Sequence, residues 1–163
     1  MSFEEIRVVA VVYTAVLLPL VIYWKYKSRL PKWIPSFYII SLIVCALGWE
    51  LWFTYGWLDG DPVDIRRSDN LNIWLPKNIN WLLNSMGDAG AILLGGAWLM
   101  WITHNKNLMI FKRWNWTAFM VLYIWCVSQN IFVEMFLYHD QLAEEKSLSW
   151  APLSPFGSYF NPV

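Results

Sequence analysis

Three carboxylates stand inside apolar stretches of this chain: Glu50 in GWELWFTYGW, Asp88 in NSMGDAGAIL and Glu134 in NIFVEMF. A carboxylate in hydrocarbon is costly unless it is paired or protonated, so each needs a partner or a task. Asp88 has company at helical spacing. Asn80, Asn84 and Asp88 recur every four residues and stack on one face of a helix, and Ala91 and Gly95 continue that face with almost no side chain. Thr54 follows Glu50 by one turn, Ser85 follows Asn84, and Ser128, Gln129 and Asn130 precede Glu134. The chemistry open to such a set is acid–base. A carboxylic acid in an apolar site keeps its proton at neutral pH and serves as a general acid, while aromatic faces stabilise a passing cation. Together these suit protonation of an alkene or epoxide in a lipid-like substrate, migration of the carbocation, and loss of a proton to a second carboxylate. Asp88 or Glu50 is then the donor, and the other or Glu134 the acceptor. Asn84 with Gln129 orients them, Trp49 and Trp52 flank Glu50 as aromatic walls, and Asn80 and Asn130 complete the substrate-binding set.

Four membrane helices are needed to position these residues. The hydrophobic pattern predicts them at about 6–24, 34–57, 79–102 and 114–138, each long enough to cross a bilayer at about 1.5 Å per residue. Pro19 is a kink that a membrane helix tolerates, and Pro35 falls in a first turn, where its missing N–H costs nothing. The tail over 139–163 holds three prolines and is too short and polar for a fifth span. The links after the first and third helices carry seven of the twelve Lys and Arg and no acid, which puts those links inside and both termini outside. From that frame Glu50 lies roughly 10 Å, Asp88 roughly 13 Å and Glu134 roughly 6 Å below the outer surface. All three occupy one leaflet half, and the simplest packing converges them on a single cavity.

Composition agrees. At 163 residues, 58% hydrophobic, 18% aromatic and mean hydropathy +0.37, the chain reads as one all-α, integral, multi-pass membrane domain over 1–163 rather than a soluble globule. The opening MSFEEIRVV has neither a basic n-region nor a following small-x-small site, so the first helix is expected to be retained. Cys45 and Cys126 lie in apolar segments, where a thiol fills space. Tryptophans 24, 33, 57, 74, 114 and 116 sit at span ends as an interface belt.

Several chemistries are set aside. His104 and His139 fall at opposite ends of the spans and cannot share a haem or a metal pair. Glu134, His139 and Asp140 are a meagre ligand set, and no metal or other cofactor is expected. Asp59, Asp61, Asp64 and Asp69 lack EF-hand spacing and have Arg66 and Arg67 beside them, so a capped, salt-bridged loop is favoured over a calcium site. No P-loop, dinucleotide fingerprint or Ser-His-Asp set is present, and no basic patch suits nucleic acid.

The run GWELWFTYGW resembles the Trp-Glu-aromatic element of the small membrane-bound terpene cyclases of meroterpenoid pathways, a resemblance that implies Glu50 as an intramembrane proton donor. The order of acid-bearing helix, polar loop DPVDIRRSDN, then Met86 with Asp88, then Gln129 with Glu134 is similar to that of the emopamil-binding-protein (EXPERA) type of sterol isomerase, over roughly Gly48 to Asp140. Both imply an isomerase or cyclase whose partner is an isoprenoid-like or sterol-like membrane lipid. The other reading is a non-catalytic accessory subunit of a larger membrane complex, its polar faces matched by a partner; a homo-oligomer also remains open.

Overall fold

A computed structural model describes residues 1–56 and 62–133. All regular elements among the described residues are helical. Helix α1 spans Phe3–Tyr26 and opens on a reciprocal cap, in which Glu5 N–H donates to Ser2 Oγ and Ser2 N–H donates to Glu5 Oε2. Helices α2 (Ile34–Leu47) and α3 (Trp49–Tyr55) form the second rod. Two short helices, α4 (Val63–Arg66) and α5 (Asp69–Trp74), occupy the loop between the second and third rods. The third rod is α6 (Lys77–Gly87), a π-helical segment (Asp88–Leu94) and α7 (Gly95–Thr103). A 3₁₀ turn at Leu108–Phe111 leads to α8 (Trp116–Val133). Four rods, Phe3–Tyr26, Ile34–Tyr55, Lys77–Thr103 and Trp116–Val133, are long and apolar enough to cross a membrane.

Burial is inverted relative to a water-soluble bundle. Leu17, Leu18, Val21, Ile39, Ile40, Ile43, Val44 and Leu47 stand exposed along the first two rods. Among the largest fully buried side chains are Arg66, Glu50, Asn80, Thr54 and Ser85. An apolar skin over a polar interior is what hydrocarbon around the molecule would select, because lipid rewards exposed Leu and Ile and penalises unpaired polar groups.

The third rod is central and packs against each of the other three. Two departures from a plain four-helix pattern shape it. The second rod was expected as one helix over 34–57. It breaks at Gly48, whose backbone (φ −97°, ψ −111°) leaves the helical region and whose position brings an added Cβ within 2.7 Å of the Val44 carbonyl oxygen. Only a residue without a side chain fits, and α3 restarts there with Glu50 in its first turn. In the third rod the backbone widens to i→i+5 pairing just at Asp88. The expected face of Asn80, Asn84 and Asp88 holds through α6, but the wider turn rotates the residues beyond it. Gly90 meets the first rod, with an added Cβ 2.9 Å from Pro19 Cγ, and Gly95 meets Trp125 of α8 instead of continuing the polar face. Trp125 Nε1–H donates to Ile92 O at 2.9 Å, and so satisfies a carbonyl in the wide turn.

At the end of the bundle that carries the 56–76 loop, Leu71 and Leu75 insert against Val8, with Val9, Val12, Leu83 and Val133 around them. Ser68 Oγ–H donates to Glu5 Oε1 at 2.5 Å and Tyr13 Oη–H to Trp74 O at 3.2 Å, tying α5 to α1. Residues 62–76 therefore form a folded plug rather than a solvated connection.

Candidate functional site

Glu50 is 1% exposed and sits between α3, α6 and the plug. The break at Gly48 sets its direction, and Asn84, one turn before Asp88, hydrogen-bonds its carboxyl group. Asp88 and Arg66 both lie within electrostatic range of Glu50, and Cys45 lies near both acids. Asp88, at the start of the wide turn, is less completely enclosed than Glu50. Tyr38 Oη–H donates to Met86 O at 3.5 Å beside it.

The two arginines read as loop partners point inward. Arg66, 2% exposed, donates through Nη2 to Phe53 O at 2.7 Å and lies 4.1 Å over the Phe53 ring. Arg67, 3% exposed, donates through Nε to Asn72 Oδ1 at 2.8 Å, through Nη1 to Asn80 Oδ1 at 3.0 Å, and through Nη2 to Leu75 O. Burial, then the charge of neighbouring Arg66, pushes the Arg67 guanidinium down to about 10, with Asp64 opposing; it remains a cation at neutral pH. The loop acid Asp64 is held by Lys77 at 2.8 Å, so the salt bridge expected of this loop is made by a different cation. Asp69 lies exposed on α5, while Asp59 and Asp61 fall outside the described residues. No group of three metal-ligating side chains occurs among the described residues.

The expected site residues are distributed unevenly over the rods. Glu50, Asp88, Asn80 and Asn84 gather between the second and third rods. Trp49 and Trp52 are half-buried and pack edge to face on each other, with centroids 5.3 Å apart. Gln129 is half-buried and Asn130 exposed on α8, which leans mainly on α7 and the π-helical segment. Glu134 lies outside the described residues, although Val133 beside it reaches the Leu71 and Leu75 cluster. Sequence reasoning missed Arg66 and Arg67 as members of the interior. The available signal was Leu71 and Leu75 at i, i+4 after the capping Ser68, a short amphipathic helix that has to turn one face inward.

Three atoms of the cluster, Glu50 Oε2, Thr54 Oγ1 and Asn80 Nδ2, are buried without a hydrogen-bond partner among the described residues. A buried polar atom left unmet costs about 1–3 kcal/mol. Three such atoms around one carboxyl call for partners beyond the described side chains, either water or a bound molecule. Comparison with protein-family models, with curated proteins and with solved structures finds no match.

Proposed function

We propose that the chain is a multi-pass membrane protein with both termini outside, whose carboxyl pair Glu50 and Asp88 carries out acid–base isomerisation or cyclisation of an isoprenoid-like or sterol-like lipid. The observation that carries this reading is Glu50 itself: a sealed carboxyl with one unmet oxygen, a second, less enclosed carboxyl nearby, and polar groups fixed around both. In the forward step the Glu50 O–H bond breaks as a C–H bond forms from the substrate π electrons, leaving a carboxylate and a carbocation. The Arg66 charge offsets that carboxylate, and Asn84 keeps the carboxyl oriented. Asp88 then accepts a proton from an adjacent carbon, whose C–H electrons make the new π bond. The partial exposure of Asp88 gives a lipid-borne substrate a way in from the side, and the aromatic groups for the cation are Trp49 and Trp52, packed on each other one residue before and two after Glu50. Glu134, which follows Val133 in the sequence, is the alternative acceptor.

The accessory-subunit reading has one observation in its favour, the partial exposure of Asp88 on a membrane rod, which a partner helix could cover as well as a substrate. Gentle purification from the native source, with intact mass and lipid extraction on one sample, separates the two. A small assembly carrying a stoichiometric isoprenoid-like molecule is expected. A chain found only inside a large hetero-assembly, with no ligand of its own, overturns the enzyme reading.

A further inference from the structure

The unmet atoms of the cluster form an ordered series. Helix α3 runs toward the plug and α6 away from it, and Asn84 is bonded to Glu50. Positions four residues nearer the plug on each helix, Thr54 and Asn80, therefore share the next level. Tyr55 Oη–H donates to Asn78 Oδ1 at 2.8 Å and closes the level after that. Above Asn80 lies Arg67, in electrostatic range of Asp64. Asp64 has one oxygen on Lys77 and the other, Oδ1, buried without a hydrogen-bond partner among the described residues. The Lys77 and Asp64 side chains are 32% and 36% exposed. Glu50 Oε2, Thr54 Oγ1, Asn80 Nδ2 and Asp64 Oδ1 thus run from the sealed carboxyl to the partly exposed Lys77–Asp64 pair.

We propose that these atoms line a column of bound water joining the Glu50 carboxyl to the plug end of the molecule, and that this column is the route by which Glu50 regains its proton. The chemistry of the atoms suits water: an amide donor, a hydroxyl that both donates and accepts, and two carboxyl oxygens. A buried water needs two to four such partners. A proton delivered along the column breaks an O–H bond of hydronium and makes the O–H bond of the carboxylic acid, leaving water; it is matched by one released from the accepting carboxyl group. The proton-supply role rests on the catalytic reading above, whereas the waters do not. Arg67 holds Asn80 by its oxygen and so turns Nδ2 toward the column, which makes Arg67 a positioning residue.

Thr54 gives a test by sign. Valine has the same shape and lacks the hydroxyl, and serine keeps it. In lipid nanodiscs Thr54→Val is expected to lower Tm by roughly 2–4 °C because the water loses a partner and its other neighbours become unmet, with Thr54→Ser remaining nearer the wild type. An unchanged or raised Tm for Thr54→Val overturns the column, since removing a dry hydroxyl is neutral or stabilising. In the isomerisation assay the same valine variant is expected to slow solvent-deuterium incorporation into substrate with KM unchanged, and an unchanged rate overturns the proton role. Melting reads hydration without reference to turnover, so failure of the column and failure of the catalytic reading are distinguishable.

Discussion

Replacing Arg66 by methionine tests whether the buried arginine and the buried acid are a pair. Methionine keeps much of the stem volume and removes the charge, the donor to Phe53 O at 2.7 Å and the cation 4.1 Å over the Phe53 ring. A hydrogen bond from a charged donor contributes about 1.5–3 kcal/mol and a desolvated cation–π contact about 2 kcal/mol. These figures describe overlapping parts of one interaction and do not add. A loss of about 2–4 kcal/mol is expected, which at roughly 2–4 °C per kcal/mol lowers Tm by about 4–16 °C. The decisive variant is the double one. With Glu50 protonated at rest, Arg66 faces a neutral acid, so Glu50→Gln should cost about as much in the Arg66→Met background as in the wild type, with a coupling below about 0.5 kcal/mol. Tryptophan-dominated near-ultraviolet circular dichroism in nanodiscs tracks all four proteins of the cycle. A coupling of about 1 kcal/mol or more would mean that Glu50 is an ionised partner of Arg66 and would refute its role as the resting proton donor.

Three contacts elsewhere give further expected outcomes. Ser68→Ala removes the bond to Glu5 that fastens the plug to α1 and should speed protease cleavage within residues 62–76; unchanged cleavage contradicts the latch. Trp125→Phe leaves the Ile92 carbonyl of the wide turn without its indole donor and should cost about 1 kcal/mol in melting experiments, with no cost if that carbonyl finds another donor. Gly90→Ala drives a methyl into the Pro19 ring, where the nearest atom would be 2.9 Å away, and should lower stability by about 1–3 kcal/mol; a neutral result would mean that the first and third rods do not approach so closely.

The rods were legible because hydrophobic length and the polar stripe of Asn80, Asn84 and Asp88 are written in local spacing. The break at Gly48 was not. A glycine within an apolar run is compatible with a continuous helix, and only the 2.7 Å approach to Val44 O shows why the backbone departs there. The π register from Asp88 to Leu94 leaves no residue signature either; it depends on Trp125 donating to the turn and on Gly90 admitting Pro19, both contacts between rods. Arg66 and Arg67 were misplaced for a different reason. Beside Asp64 and Asp69 two guanidinium groups read as surface partners, and nothing in composition says that a polar loop will fold inward. The Ser68 cap with Leu71 and Leu75 carries that information, but a helix of six residues yields a faint periodic signal. Of the expected site, the Glu50, Asp88, Asn80 and Asn84 grouping was readable because each is costly in lipid alone and cheaper in company.

The central proposal is proton transfer from Glu50 to carbon in a membrane lipid, and solvent deuterium reports it whichever lipid is the substrate. Purified protein in nanodiscs would be incubated with native lipid extract in D2O and the lipids mass-analysed, with Glu50→Gln and Asp88→Asn in parallel. An isoprenoid-like or sterol-like species gaining one non-exchangeable deuterium with the wild type and none with either folded variant is the expected result. Equal labelling by wild type and both variants, or labelling by none of the three, would contradict it.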